Sequence, residues 1–487
     1  MPSTLWTRKP IDTGDDANSA KERLPRSLGA RGLTSLGVGG IIGTGIFVMI
    51  GVAAHEKAGP AITLSFIIAA LACAAVALCY VEFATVVPEA GSAYSYAYAT
   101  LGELPGWLVG WNVILCYGIA GASVAQGWSH YFQAFLGGLH VRLPALITQT
   151  PMDFNGKGGF ALTGGVGDMP ALLITLVLTA LIIRGLKTSL QFNFVMLCVK
   201  VSVILFVVVA GTFYINPQNW HPFAPFGLFM SPNAAGESVG MIAGAALAFY
   251  AFMGFEALSA YAEECKDPQR DVPIGVLSSV GICTLVYVSV SLVLTGMVRY
   301  DQINLRAPIS SAFRQVGLPW AEFLVSVGAL TGITSVLLMI VMTLPRILMT
   351  MGRDGLLSHR IFCNFHPRFQ TPWKAMLATG IGVAIFGTWM PLRMLADLVT
   401  LATLAGYVVI CAAVLVLRHT LADRPRRFRV PLGPVVPLFG MGACALLIRS
   451  LPPLAWAELG IWLLIGIVIY FGYSRKHSVL ANSPSQG

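Results

Sequence analysis

The chain has 487 residues, of which 56% are hydrophobic and only 11% charged, and its mean hydropathy is +0.74. Soluble domains carry about a quarter charged residues, so the composition excludes a water-soluble globular protein and predicts an all-α membrane protein that contacts lipid. The formal net charge of +9 could indicate a nucleic-acid ligand, but the distribution of the basic residues along the chain predicts a membrane topology and no nucleic-acid partner.

Many apolar runs reach the roughly 20 residues that a transmembrane helix needs. They predict twelve spans, at residues 32–53, 60–85, 105–135, 170–188, 191–214, 238–260, 272–298, 321–350, 373–390, 393–418, 431–450 and 452–474. The predicted domains are a cytoplasmic tail (1–30), a ten-helix core (31–420), two peripheral helices (421–475) and a second cytoplasmic tail (476–487). No stretch outside the spans is long enough for a separate catalytic domain.

The basic residues are unevenly divided between the two sides of the predicted membrane. Of the 31 Lys and Arg residues, 22 lie on the side of both termini, 8 lie on the opposite side and one, Lys200, lies inside a span. This bias is the positive-inside pattern. It predicts a multi-pass protein of the cytoplasmic membrane with both termini in the cytoplasm.

The residue types that serve catalysis and metal binding show no organised spacing. The nine cysteines lie mostly within spans and have no paired spacing of a disulfide framework or a zinc site. The histidines do not cluster, and no hydrolase, zinc-protease or phosphate-loop motif occurs. The sequence therefore predicts no metal site and no enzyme activity, and it identifies no protein partner.

The first span contains a glycine cluster. Residues 37–47 read GVGGIIGTGIF, with five glycines in nine residues, and each glycine destabilises a helix by about 1 kcal/mol relative to alanine. Close helix packing through small residues is the alternative explanation. Because these glycines lie all around the helix, we favour a broken helix, whose free amides offer hydrogen bonds and positive dipole to a carboxylate.

The sixth span carries an acidic residue, Glu256, directly after the aromatic-rich stretch FYAFMGF at residues 249–255. Carboxylates inside membranes are costly and are candidates for functional sites, although Glu256 could also serve only to hold the helix bundle together. Spans one and six are corresponding members of two five-span halves, about 31–215 and 236–420. Paired interruptions of this kind predict a 5+5 inverted-repeat transporter with a binding site in the middle of the membrane.

Lys200 lies about nine residues into the fifth span, about 13 Å deep. Its side chain could snorkel to the cytoplasmic surface. Alternatively, it is a buried ammonium held by backbone carbonyls and able to carry a proton.

Several motifs resemble the amino acid–polyamine–organocation permeases, in particular the bacterial relatives of the cationic amino acid transporters. These motifs are residues 37–47, the Gly-Pro pair at 59–60, PEAGSAYSY at 88–96, AEECKDPQRDVPIG at 262–275 and Arg-Asp-Gly at 353–355. The resemblance implies a twelve-helix fold with a 5+5 inverted repeat, broken helices one and six, and two peripheral helices.

The resemblance also implies a set of site residues. The substrate carboxylate would meet amides of Gly43, Thr44 and Gly45, and its ammonium would meet carbonyls of Ile41, Tyr250, Ala251 and Met253. Ile340 would close the side-chain pocket, Lys200 would couple transport to protons, and Cys116 and Glu256 would replace a glutamate and an aspartate of close bacterial relatives. No cofactor is implied apart from the proton as coupling ion.

These observations predict a proton-coupled importer of L-amino acids. Cys116 of span three and residues 336–341 of span eight carry no charge, and Glu256 is expected to orient span six. Neutral substrates such as alanine are therefore expected over arginine and lysine. A cationic amino acid or polyamine transporter or exchanger on the same fold remains an alternative. A channel would need a continuous polar ring, where this sequence has isolated charges, and an amino-acid sensor would show no uptake.

Overall fold

The computed structural model describes residues 4–10, 28–87, 91–154, 160–233, 236–420 and 428–482. Several predictions lie outside these residues: most of the tail at 1–30, the first three residues of the motif at 88–96, the stretch 421–427 and the chain end at 483–487. The fold described below concerns the remaining chain.

The first half of the described chain is almost entirely helical. Its helices are α1 (Ala30–Ile41), α2 (Ile50–Ala53), α3 (Ile62–Val86), α4 (Ala93–Leu101), α5 (Glu103–Gly138), α6 (Met169–Arg184) and α7 (Leu186–Thr212). Wider π-helical turns, Gly45–Met49 and Ala54–Ala58, flank α2 and extend it into a half-helix over residues 45–58. Between α5 and α6, strands β1 (Met152–Phe154) and β2 (Phe160–Leu162) form an antiparallel hairpin.

The second half begins with a small strand pair, β3 (Ser231–Pro232) and β4 (Ser238–Val239). A 3-10 segment, Glu256–Glu264, follows the first helix of this half. The helices are α8 (Met241–Tyr250), α9 (Pro268–Met297), α10 (Pro308–Gln315), α11 (Pro319–Arg353), α12 (His359–Phe362), α13 (Trp373–Trp389), α14 (Leu392–Thr420), α15 (Val435–Ile448), α16 (Pro453–Ile469), α17 (Arg475–His477) and α18 (Val479–Asn482).

Within the described residues, seven helical stretches are long and apolar enough to cross a membrane, and α6, α8 and α15 are shorter apolar helices. Helices occur in each of the twelve regions where a span was predicted, whereas the count of twelve crossings and the inverted repeat remain predictions. The helix bounds differ from the approximate predicted spans by a few residues, and in the first span region helical structure continues to residue 58, past the predicted end at about 53. The charged end of this half-helix is stabilised by ion pairs, from Glu56 to Arg393 and from Lys57 to Glu237.

Some glycines of the first span allow neighbouring helices to pack closely, in addition to the role of the cluster in interrupting the helix. A side chain at Gly37 would collide with Ser279 and Leu258, and one at Gly40 would collide with Met339. The two explanations weighed for this cluster are therefore compatible, because different glycines contact different neighbouring helices.

The described parts of both predicted tails are packed against the helices. Lys9 forms an ion pair with Asp354 at 3.0 Å, and Ser478 Oγ donates to Glu103 at 2.6 Å.

Candidate functional site

The first helix is interrupted between α1 and the half-helix over residues 45–58. The last backbone hydrogen bond of α1 runs from Ile42 N to Val38 O, and Ile42 is extended, with φ −74° and ψ 100°. Within the described chain, the amides of Gly43, Thr44 and Gly45 have no backbone acceptor. The hydroxyl of Thr44, a residue only 1% exposed, also has no hydrogen-bond partner there.

The sixth helix is interrupted between α8 and the 3-10 segment that starts at Glu256. Gly254 has φ +110°, and a Cβ at this position would lie 3.2 Å from the carbonyl oxygen of Gly40. Only glycine suits both the positive φ and this close approach of two backbones. The Glu256 side chain folds back over the break, where its Oε2 accepts from Gly254 N at 3.0 Å and from the Tyr407 hydroxyl at 2.7 Å.

Tyr287 of α9 joins the two interruptions. Its hydroxyl lies 2.9 Å from Ile41 O and 2.8 Å from Ala251 O, the terminal carbonyls of the two broken segments. Sequence reasoning missed this residue, because a tyrosine in an apolar helix carries no signal that distinguishes a buried bridge from a lipid-facing side chain.

A cavity lies beside the two interruptions and is closed by α5 and α11. Eight of the predicted substrate residues line it: Ile41, Thr44, Gly45, Cys116, Tyr250, Met253, Glu256 and Ile340. Their positions around one cavity follow from the fold, while their contact with a substrate remains a prediction.

Two predicted substrate residues do not line the cavity. Gly43 packs against the side chain of Val336, and the backbone of Ala251 is packed against Gly45. The carbonyl of Ala251 accepts from Tyr287. The carbonyl of Gly43 accepts from Ile46 N at 3.2 Å and from Phe47 N at 3.1 Å, at the start of the half-helix.

Sequence reasoning also missed part of the cavity wall. On α5, Tyr117, Ala120 and Val124 line the cavity together with Cys116, and on α11 Val336 and Met339 join Ile340. The positions 116, 120 and 124 repeat every fourth residue and therefore share one helix face. This spacing could have extended the predicted site from one residue of α5 to the whole stripe.

Lys200 lies behind the first interruption, outside the cavity, and is fully buried. Its ammonium donates to Gly39 O at 2.5 Å, to Ile42 O at 2.8 Å and to Ser335 Oγ at 2.9 Å. The snorkelling alternative is therefore wrong, and the expected contact with span-one carbonyls is present. The ammonium neutralises the partial negative charge of the carbonyls at the end of α1.

The long apolar helices define a multi-pass membrane protein, and its two broken helices border a buried cavity. The family model for amino acid permeases matches residues 28–484, and the chain belongs to this family. The resemblance drawn from the motifs is thereby confirmed.

Two relatives from Bacillus subtilis match along almost their full length. The chain is 43% identical to a methylthioribose transporter over 478 residues, which covers 98% of this chain and 99% of the relative. It is 41% identical to a branched-chain amino acid permease over 481 residues, 99% of this chain and 100% of the relative. Human cationic amino acid transporter 4 is 37% identical over 406 residues, 82% of this chain and 61% of the relative.

Proposed function

We propose that this protein is a secondary active transporter that imports neutral L-amino acids across the cytoplasmic membrane, coupled to protons. The observation that carries the proposal is the group of polar atoms at the first interruption. The buried hydroxyl of Thr44 and the amides of Thr44 and Gly45, two residues of the cavity lining, have no partner within the described chain. Buried donors are normally satisfied, and an α-carboxylate is the substrate group that would satisfy several of them at once.

The charge of the cavity wall supports a neutral side chain. Glu256 is the acidic residue of the lining, and both of its oxygens already accept hydrogen bonds, from Gly254, Tyr407 and Tyr117. A buried cationic side chain without a free carboxylate would be unfavourable by several kcal/mol. The branched-chain specificity named for one Bacillus relative is consistent with this choice.

A thioether sugar is the second candidate substrate, because one relative of similar identity is named a methylthioribose transporter. Sugar hydroxyls could also accept from the free amides and from Thr44. The apolar wall around Met339 and Ile340 suits a methylthio group. Cationic amino acid transport or exchange is a third candidate, supported by the more distant human and plant relatives.

Lys200 is our candidate for proton coupling. Its contacts with Gly39 and Ile42 end if the broken helix moves. A change of access state would therefore change the stability of its charge. The twelve-helix fold with a 5+5 repeat, the domain boundaries at about 31–420 and 421–475, and cytoplasmic termini belong to the same proposal.

Ligand-induced stabilisation of the purified protein tests the substrate assignment. Alanine, isoleucine, arginine, lysine and methylthioribose would be compared by the shift of the unfolding temperature, since binding to the native state stabilises it. We expect alanine or isoleucine to give the largest shift and to be taken up by proteoliposomes. A larger shift with arginine, or with methylthioribose and no amino acid, would replace the proposed substrate class.

A further inference from the structure

A cavity of about 380 Å³, here called the peripheral cavity, lies between the start of α14 and the helix α16. Its other walls are the β3–β4 turn, α8 and the connection from α15 to α16. Leu454 lines the cavity and is 41% exposed, so the cavity reaches the outer surface of α16. Trp456 on the same helix is exposed, and tryptophan favours the membrane–water interface. The charge bias of the sequence predicts that this end of the bundle faces outside.

Glu458 is the one charged residue of α16. Ala455, three positions earlier, and Trp462, four positions later, lie on the same helix face. Ala455 is buried, and Trp462 Nε1 donates to Trp111 O of α5 at 3.0 Å. This face therefore packs against the bundle, and Glu458 is directed away from lipid. Carboxylates in membrane-spanning helices are costly and are candidates for functional sites.

One oxygen of the Glu458 carboxylate is unsatisfied. Glu458 lines the peripheral cavity, and its Oε1 is buried without a hydrogen-bond partner in the described chain. A carboxylate oxygen removed from water without a donor is energetically unfavourable. A positively charged hydrogen-bond donor that enters the cavity would remove this penalty.

The charges of the lining leave room for one further cation. Three carboxylates, Glu237, Asp397 and Glu458, face two cations, Lys57 and Arg393. Both cations contact Glu237, Arg393 at 2.7 Å and Lys57 at 3.1 Å. Burial alone would raise the pKa of Glu237, but Lys57 and Arg393 lower it below its ordinary value. With every group ionised the lining carries one net negative charge, which a single ammonium group would balance.

The size of the cavity favours a molecule over a bare metal ion. A water molecule takes about 30 Å³, and a metal ion is no larger, so either would leave most of the 380 Å³ unfilled. Lys57 and Arg393 offer positive charge to a phosphate beside the ammonium. The apolar lining residues Leu247, Leu451 and Leu454 suit the carbon chain that follows.

We propose that the peripheral cavity binds the head group of an outer-leaflet phospholipid with a primary ammonium, phosphatidylethanolamine, and that Glu458 accepts a hydrogen bond from this ammonium. The lipid fills the space between α14 of the predicted transport core and the peripheral helix α16, and thereby stabilises their packing. The site is independent of the transported substrate.

Native mass spectrometry of the delipidated full chain tests the proposal. Phosphatidylethanolamine and phosphatidylcholine with identical acyl chains would be titrated, because the quaternary ammonium of the second lipid has no N–H donor. We expect one phosphatidylethanolamine to bind about 10-fold more tightly, the value of one hydrogen bond to a charged group. Glu458→Gln, which keeps the shape and removes the charge, should abolish this preference. Asp301→Asn, at an exposed acid outside the cavity, should retain it.

Met394→Trp fills the cavity from α14 and is the second variant if Glu458→Gln does not fold. Three results would overturn the lipid site. They are equal affinity of the unmodified protein for the two lipids, an unchanged preference in a folded cavity variant, and thermal stabilisation of the delipidated protein by calcium ions that Glu458→Gln removes. The last result would indicate a metal ion in place of the lipid. None of them bears on the proposed function, because no transported substrate enters the measurement.

Discussion

At the residue scale, Thr44 and Lys200 differ in how their polar groups are satisfied. Lys200 makes three hydrogen bonds although it is fully buried, whereas the Thr44 hydroxyl makes none within the described chain. A satisfied buried group stabilises one arrangement of its neighbours, and an unsatisfied one at a cavity wall is available to a ligand. Lys200 is therefore suited to stabilising one access state, and the Thr44 hydroxyl is suited to binding a substrate.

Replacing Thr44 by valine removes the hydroxyl and keeps the shape. Because this hydroxyl has no partner to lose, the unfolding temperature without substrate should stay unchanged or rise. Substrate affinity should fall about 5- to 10-fold, the value of one hydrogen bond of about 1 to 1.5 kcal/mol. Thr379→Val is the matched control, since Thr379 also has an unpartnered hydroxyl but lies outside the cavity lining. An equal loss of affinity in both variants would contradict the assignment of Thr44.

Lys200→Arg and Lys200→Ala test proton coupling. Arginine keeps the positive charge but does not deprotonate in proteins, so accumulation driven by an imposed proton gradient in proteoliposomes should disappear while some substrate binding survives. Alanine should also abolish accumulation. If Lys200→Ala still concentrates substrate in response to a proton gradient, Lys200 has a structural role and the coupling group lies elsewhere.

At the scale of elements, different side chains stabilise the interruptions of the two broken helices. The first interruption relies on Lys200, which caps the carbonyls at the end of α1. The second relies on Glu256, which accepts from Gly254 within its own turn and from Tyr407 of α14. Since Tyr287 contacts a carbonyl of each break, we infer that the two interruptions move together.

Gly254→Ala should weaken this junction. Its positive φ of 110° and the approach to Gly40 both oppose a side chain, and a residue in such strained backbone is destabilised by about 1 to 3 kcal/mol. We expect a lower unfolding temperature and weaker substrate binding in the same variant. Gly281→Ala in α9 serves as the control, because a Cβ there meets nothing within 4 Å, and its unfolding temperature should not fall. Equal stability of the two variants would show that the backbone at Gly254 rearranges without penalty.

At the scale of the whole molecule, ion pairs between side chains lie at both ends of the bundle. At one end Arg418 binds Glu82 at 2.8 Å and Lys9 binds Asp354. At the other, Arg393, Lys57 and Glu237 join three separate parts of the chain. The basic residues of the sequence predict that the first end lies in the cytoplasm.

Protease accessibility tests this orientation. A cleavage site inserted between the strands β1 and β2 should be cut by protease added to right-side-out vesicles. The same site inserted after Thr420, between α14 and α15, should be cut only after the membrane is permeabilised. The reverse result would invert the topology, and with it the assignment of the peripheral cavity to the outer leaflet.

Composition alone predicted an apolar helical membrane protein, because the length and hydropathy of a segment determine whether it partitions into a membrane. The orientation that the basic residues indicate remains a prediction. The glycine cluster and Glu256 likewise predicted where helices break, since backbone freedom and buried charge are local properties. Tertiary structure decided which polar atoms remain free. Glu256 meets Tyr407 from 151 positions away, Tyr287 meets Ile41 from 246, and Lys200 meets Gly39 from 161. Such contacts depend on how distant helices pack. That packing leaves the Thr44 hydroxyl without a partner in the described chain, at the cavity wall, and places Gly43 and Ala251 outside the cavity lining.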